Sequence, residues 1–253
     1  HTTDQIAENV HNEYPVKHQS DHLKYIWHDK VHLDYEITPW RSKRDFIGYE
    51  VRLAEILTWG VSVVSAINFK VKWTVGRARP EEIAWKIANG ELIKDDEMEV
   101  PQRIVEKVHS MELTSPENFT SYPEGAPQHP AWPAMHSAGS AIHIWLPVMM
   151  TLDWEQYCET LRVDYLVSYA RTVAGVHYTS DNTAGLDLGQ RIIADALPDH
   201  LSEKCGGDYE TIKSKTDAFR FRWDDFDATT CEFSGDSEGM RSKLMNLGYI
   251  RQS

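Results

Sequence analysis

Tyr169-Ala170-Arg171-Thr172-Val173-Ala174-Gly175-Val176-His177-Tyr178-Thr179-Ser180-Asp181 joins two stretches that each read as helix, Tyr157 to Ala174 upstream and Asp181 to Ala196 downstream. Leu197-Pro198 should end the second of them. Arg171 and His177 are six residues apart, about 120° from each other on one straight helix. They can converge only if the helix breaks between them, and Gly175 is where it can break. His177 and Asp181, four apart, would then share one face of a helix starting near Tyr178. There the carboxylate could accept a ring N–H, hold the imidazole in one tautomer and leave its other nitrogen free. From this stretch alone, a capping aspartate beside a satisfied core histidine is slightly the better reading.

Helix dominates outward from this break as well. Arg41 to Arg77 carries Ile47, Val51, Leu53, Leu57, Val61, Val64 and Ile67 along a helical period, which predicts a long, mostly buried helix. Ser137 to Met150 reads as another helix and Ile104 to Met111 as a short one. Ser115 to Pro133 is Pro-rich and should be mostly loop. Beyond Asp199 the chain turns acidic, with Asp224, Asp225, Asp227, Glu232, Asp236 and Glu238, and reads as solvated surface. It fails the calcium-loop pattern, because no Gly falls at the sixth position. The expected class is all-α: one domain over residues 1–253, with a motif-bearing core over 45–197 and the acidic tail over 199–253.

The 253 residues can bury a real core, and 41% apolar with 26% charged residues is ordinary globular composition. Lys plus Arg is 26 against 39 Asp plus Glu, a net charge of −13. Such a chain is a poor partner for nucleic acid or an anionic membrane surface, so any anion site must be a local basic island. The uncharged stretch Ile56 to Phe69 is shorter than the ~20 residues of a spanning helix. Prolines 127, 130, 133 and 147 interrupt the longer one, Gly125 to Leu152. With mean hydropathy at −0.50 the chain reads as soluble, with no membrane partner expected. Cys158, Cys205 and Cys231 allow at most one internal disulfide and leave one thiol over. The start at His1 is expected of a processed or trimmed chain, with any targeting segment preceding it. His18/His22 and His28/His32 have zinc-compatible spacing, but Asp29 stands where a metalloprotease motif needs Glu, and a polar helix face is the better reading.

The basic island exists. Ile56 to Pro80 holds no acidic residue, yet it carries Lys70, Lys72, Arg77 and Arg79. Lys72 and Arg79 are seven apart, two helical turns, so both can point the same way on a continuing helix. A partly buried pair of cations is costly unless a carboxylate from elsewhere or a bound anion meets it. A third segment, His129-Pro130-Ala131-Trp132-Pro133-Ala134-Met135-His136-Ser137-Ala138-Gly139-Ser140, leads from a proline-fixed loop into a helix of small residues. The N-terminus of that helix would turn backbone N–H groups toward an anion, with Ser137 as its cap.

Together these segments resemble the superfamily that joins vanadium-dependent haloperoxidases with the type 2 phosphatidic acid phosphatases and the soluble class A acid phosphatases. Its three motifs are Lys-x6-Arg-Pro, Pro-Ser-Gly-His and Ser-Arg-x5-His-x3-Asp. The first is intact as Lys72-x6-Arg79-Pro80. The third is intact except that Ala170 replaces Ser, with Arg171, His177 and Asp181 in register. The second keeps Pro133 and His136 but has Ala134-Met135 for Ser-Gly.

The resemblance implies a helical bundle with an oxyanion, vanadate or phosphate, in its core. Lys72, Arg79 and Arg171 would neutralise the oxygens, the arginines bidentately, and Met135 would offer its backbone N–H. His177 would bind the central atom, as ligand to vanadium or as the nucleophile of a phosphohistidine, and Asp181 would orient it. His136 would be the acid/base, taking a proton from hydrogen peroxide or giving one to a leaving alcohol. Lys72 would polarise the peroxide. The hydroxyl lost at Ala134 would weaken anion binding by roughly 1 to 3 kcal/mol.

Two residues are the expected halide-tuning positions. His129, in the run His-Pro-x-x-Pro-x-x-His, resembles the bromoperoxidase branch; Phe69 falls where haloperoxidases usually carry Trp, which counts against a complete halide pocket. The expected activity is oxidation of bromide or iodide by hydrogen peroxide to a hypohalous species that halogenates small organic acceptors. Vanadate is the expected cofactor and a homo-oligomer the expected assembly. A soluble acid phosphatase, which the short chain would suit, and an anion-binding relative silenced at Ala134-Met135 stay open.

Overall fold

The computed structural model describes residues 43–92, 100–234 and 237–251, so the histidine pairs His18/His22 and His28/His32 lie outside the described residues. The protein is all-α; strand structure among the described residues is confined to two-residue pairings. Helix α1 (Lys43–Val75) contains no proline and buries Leu53, Ile56, Leu57, Gly60, Val64, Asn68 and Lys72, a seam at spacings of three and four. Among the described residues that face alone is covered, which corrects the expectation of a mostly buried helix: Val51, Ile67, Trp73 and Val75 are exposed. By length and composition alone, Val51–Ala88 holds a stretch apolar enough to cross a membrane, with a mean hydropathy of 1.2.

After α1 come α2 (Pro80–Ala88), α3 (Gln102–His109), a 3-10 turn (Pro116–Phe119), α4 (Met135–Ser140), α5 (Ile142–Met149), α6 (Trp154–Val173), α7 (Thr179–Cys205), α8 (Tyr209–Ala218) and α9 (Ser237–Asn246). Between α5 and α6, β1 (Leu152–Asp153) pairs in parallel with β4 (Ile250–Arg251); β2 (Phe226–Asp227) pairs antiparallel with β3 (Glu232–Phe233). The main core lies between α1, α4, α5, α6, α7 and α8, around Leu53, Val64, Trp145, Tyr157, Leu161 and Ile193.

Three expectations are corrected here. The stretch Ser137 to Met150 is two helices, because Ala141 takes a left-handed conformation (φ 39°). Asp164 of α6 holds that break: Oδ1 accepts from Ile142 N–H (3.2 Å), and Oδ2 from His143 N–H (3.0 Å) and the His143 ring (2.6 Å). Helix α7 does not stop at Leu197-Pro198 but continues to Cys205. A proline inside a helix forfeits one hydrogen bond and crowds the preceding turn, yet burial of Leu197, Pro198 and Leu201 outweighs this. The acidic tail is not simply solvated surface. Phe219, Trp223, Phe226, Cys231, Phe233, Leu244 and Ile250 enter the main core, while Asp224, Asp227 and Glu232 between them stay exposed.

A disulfide, Cys158–Cys231, ties that tail to α6 across 73 residues, and Cys205 is the exposed free thiol. Closing so long a loop restricts the unfolded chain, so Cys231→Ser should cost about 4 kcal/mol in urea unfolding. Cys205→Ser should change it by less than about 0.5 kcal/mol. Equal effects of the two substitutions would contradict the pairing.

Helix α4 lies backbone-on-backbone against α7. Gly185 and Gly189 sit one helical turn apart, and a Cβ at either would overlap the carbonyl oxygen of Ala134 or Ala138 respectively. This close approach brings the second motif against the third.

Candidate active site

The first motif does not work as one helix. α1 ends at Val75, the chain turns at Gly76, and Arg79 precedes α2 as its N-cap. This corrects the expectation that two helical turns align Lys72 with Arg79; the helix breaks at Gly76, and both side chains instead bond carbonyls of the loop over 129–131. Lys72, fully buried, donates from Nζ to the carbonyls of Pro130 (2.9 Å) and Ala131 (2.9 Å). Arg79 donates from Nε to the His129 carbonyl (2.9 Å), from Nη2 to His129 Nδ1 (3.1 Å), and from Nη1 to the Val176 carbonyl (2.7 Å) and His177 Nε2 (3.0 Å).

That last contact sets the tautomer. An arginine only donates, so His177 Nε2 accepts and the ring proton sits on Nδ1, which faces Asp181 Oδ2 at 3.2 Å. Tyr178 N–H donates to the same oxygen (3.0 Å), so Asp181 both caps α7 and holds the histidine. The break sits at Gly175, with φ +76° between α6 and α7; a Cβ there would come within 2.8 Å of the Phe119 carbonyl oxygen. Arg171 is buried in the last turn of α6 and donates from Nη1 to Tyr122 Oη (2.6 Å).

The second motif is anchored by Ala134 N–H, which donates to the Asp181 carbonyl (2.9 Å). Met135 and His136 open α4 half-buried. Ser137 is not the cap; Ala134 occupies that position, and Ser137 is buried and donates to Asn182 Oδ1 (3.3 Å). Phe69 meets the His129 ring edge-on, 5.0 Å between centroids.

Direct contacts therefore join Arg79, His129, His177 and Asp181, with Lys72 held on the same loop. Two residues without an expected role also enter. Arg77 donates to Asp181 Oδ1 (2.7 Å), and Tyr122 holds Arg171. Arg77 was visible as one cation of the acid-free stretch; nothing marked Tyr122.

The electrostatics are those of a cluster with excess positive charge. Burial, then the charge of Arg79, pushes Lys72 down to about 7, with Asp181 opposing. Burial likewise brings Arg79 down to about 10. Among the described residues no carboxylate lies within ion-pair distance of either, so the alternative of a protein salt bridge is not met. Burial lowers His177 to about 3 against the hydrogen bond to Asp181, while Arg79 and Lys72 add to the lowering; the ring is neutral with its Nε2 lone pair available. Burial, then Arg79 and Lys72, lowers His129 to about 4. Burial would raise Asp181, but the His177 ring, the Tyr178 N–H and Arg77 hold it below its ordinary value.

A pH dependence follows for the anion-free chain. Lys72 titrates lower folded (about 7) than unfolded (10.5), so its burden on stability is full below about 7 and is relieved as pH rises toward 10.5. The thermal midpoint of wild type relative to Lys72→Met should therefore rise over that window. A constant difference between the two chains would contradict it.

A family model described as the PAP2 superfamily matches residues 53–198, more than half of the chain. The chain belongs to the PAP2 superfamily. Members of PAP2 are phosphatases or haloperoxidases, and the matched residues span all three motif segments. No curated protein and no solved structure matches the chain. The matched region holds the buried cations Lys72, Arg79 and Arg171, and His177 with its Nε2 directed at Arg79 and its Nδ1 at Asp181.

Proposed function

We propose that this PAP2 chain is a vanadate-dependent haloperoxidase that uses hydrogen peroxide to oxidise bromide or iodide to a hypohalous species, which halogenates small organic acceptors. The observation that carries the reading over a phosphatase is His129. Its imidazole lies in the wall of the cationic cluster, on Arg79 and edge-on to Phe69.

The residues present fit a vanadate-like oxyanion, since Lys72 and Arg79 are buried without a carboxylate of their own among the described residues. They would hold it together with Arg171, and His177 Nε2 would bind its central atom in place of the Arg79 N–H. Bound vanadate would supply the Lewis acidity that activates peroxide toward halide attack. Asp181 Oδ2 keeps the His177 proton on Nδ1 throughout. His136, at the start of α4, would take the proton that hydrogen peroxide loses and return it to the product. Lys72, buried beside Arg79, supplies positive charge to the developing oxyanion. Ala134 leaves one hydroxyl fewer for the anion, and the Met135 N–H takes up part of that role.

A paired assay on protein stripped of metal and phosphate tests this. One half receives orthovanadate, hydrogen peroxide and bromide or iodide; the other receives p-nitrophenyl phosphate. Vanadate-dependent halide oxidation is expected. Phosphate release without halide oxidation would replace the proposal by a phosphatase acting through a phosphohistidine, and silence in both by an anion-binding relative.

A further inference from the structure

We infer that Arg77 is a positioning residue of this site: it grips Asp181 so that His177 presents Nε2 to the bound oxyanion. The inference rests on the oxyanion reading above, not on the choice between vanadate and phosphate chemistry.

Arg77 belongs to the first motif segment and touches the other two. Its Nη1 donates to Asp181 Oδ1 (2.7 Å) and to Ser180 Oγ (2.8 Å). Its guanidinium carbon stands 4.2 Å from the centre of the Tyr178 ring, and its backbone carbonyl accepts from Ala131 N–H (2.8 Å). The carboxylate of Asp181 is fully buried and divided between two tasks. Oδ2 accepts from the His177 ring and the Tyr178 N–H, while the side-chain contact of Oδ1 is Arg77.

Without Arg77 the carboxylate loses the partner that fixes its rotation, and the 3.2 Å contact to His177 Nδ1 is the one that loosens. Arg77 therefore acts through Asp181. It grips the oxygen turned away from the imidazole, on the Nδ1 side of the ring, opposite the nitrogen that meets the anion.

Orthovanadate binding, followed calorimetrically, tests this in wild type, Arg77→Gln, Arg77→Lys, Asp181→Asn and the double variant Arg77→Gln/Asp181→Asn. Arg77→Gln should bind vanadate about 10- to 100-fold more weakly, the usual cost of removing a partner that orients a ligating histidine. Arg77→Lys should recover most of it. In the Asp181→Asn background, Arg77→Gln should change affinity by less than about twofold, because the two act as one unit. Equal losses in both backgrounds would overturn the inference, since Arg77 would then touch the anion or merely support the fold.

Histidine-labelled nitrogen spectra of the anion-free chains give a reading independent of binding. The His177 Nδ1–H signal, sharp in wild type, should broaden in Arg77→Gln and persist in Arg77→Lys; a signal unchanged in Arg77→Gln would overturn the inference. Failure of wild type to bind vanadate or phosphate would overturn the oxyanion site and this role with it. Wild-type binding with an unaltered Arg77→Gln would overturn the role alone.

Discussion

His177→Ala should abolish turnover, by about 10³-fold or more, in whichever half of the paired assay the wild-type chain is active. The two other histidines of the site are placed differently. His129 Nδ1 is occupied by Arg79, and His136 stands on a different element, at the start of α4. Vanadate affinity should fall in parallel, because in the proposed mechanism the histidine binds the central atom as well as acting in turnover. The variant should still fold: Arg79 keeps its bonds to the carbonyls of His129 and Val176, and Asp181 keeps Arg77 and the Tyr178 N–H. Activity retained within about tenfold, with a normal thermal midpoint, would remove His177 from the mechanism.

The second large effect falls away from the anion site. Asp164→Ala should destabilise the chain by about 3 to 5 kcal/mol in urea unfolding. One buried carboxylate serves two backbone N–H groups and a fully buried histidine ring, and alanine offers none of them an acceptor. The left-handed turn at Ala141 has no other side-chain cap. Asp164→Asn retains an acceptor and should lose less, which keeps the measurement available if the alanine variant does not fold. A loss below about 1 kcal/mol for alanine would mean that the α4–α5 break is held by packing alone.

The helical architecture was legible because its signals are local. The long helix before Lys72, the Gly175 break and the His177–Asp181 contact each depend on neighbours along the chain, and each is present, although Val51 and Ile67 of the apolar period lie exposed and His177 sits just before its helix. The errors arose where distant partners decide. Nothing near Ala141 announces a left-handed residue; the cause is Asp164, on another helix. Pro198 reads as a stop because the packing of Leu197 and Leu201 is invisible in the sequence. The tail read as surface because acidic residues outnumber the aromatics there, although Trp223, Phe226 and Phe233 carry the burial. In the site, the motif residues could be named from the resemblance of the three segments to the superfamily's motifs. Tyr122 could not, since a lone tyrosine in a Pro-rich loop carries no signal, and Arg77 stood out only as one cation of the acid-free stretch, with no partner indicated. The alignment of Lys72 with Arg79 was anticipated for the wrong reason, a continuing helix instead of a turn at Gly76.

The bond between Cys158 and Cys231 has a consequence for how the molecule would withstand cutting. The turn after α7, with Gly206, Asp208, Tyr209 and Glu210 exposed, lies inside the ring that this bond closes. A protease that severs the backbone there leaves both pieces covalently attached. The nicked molecule should migrate as one band on a denaturing gel without thiol and as two bands after reduction. The buried aromatics of the tail would keep their places through the cut, because the crossing holds the severed end against α6.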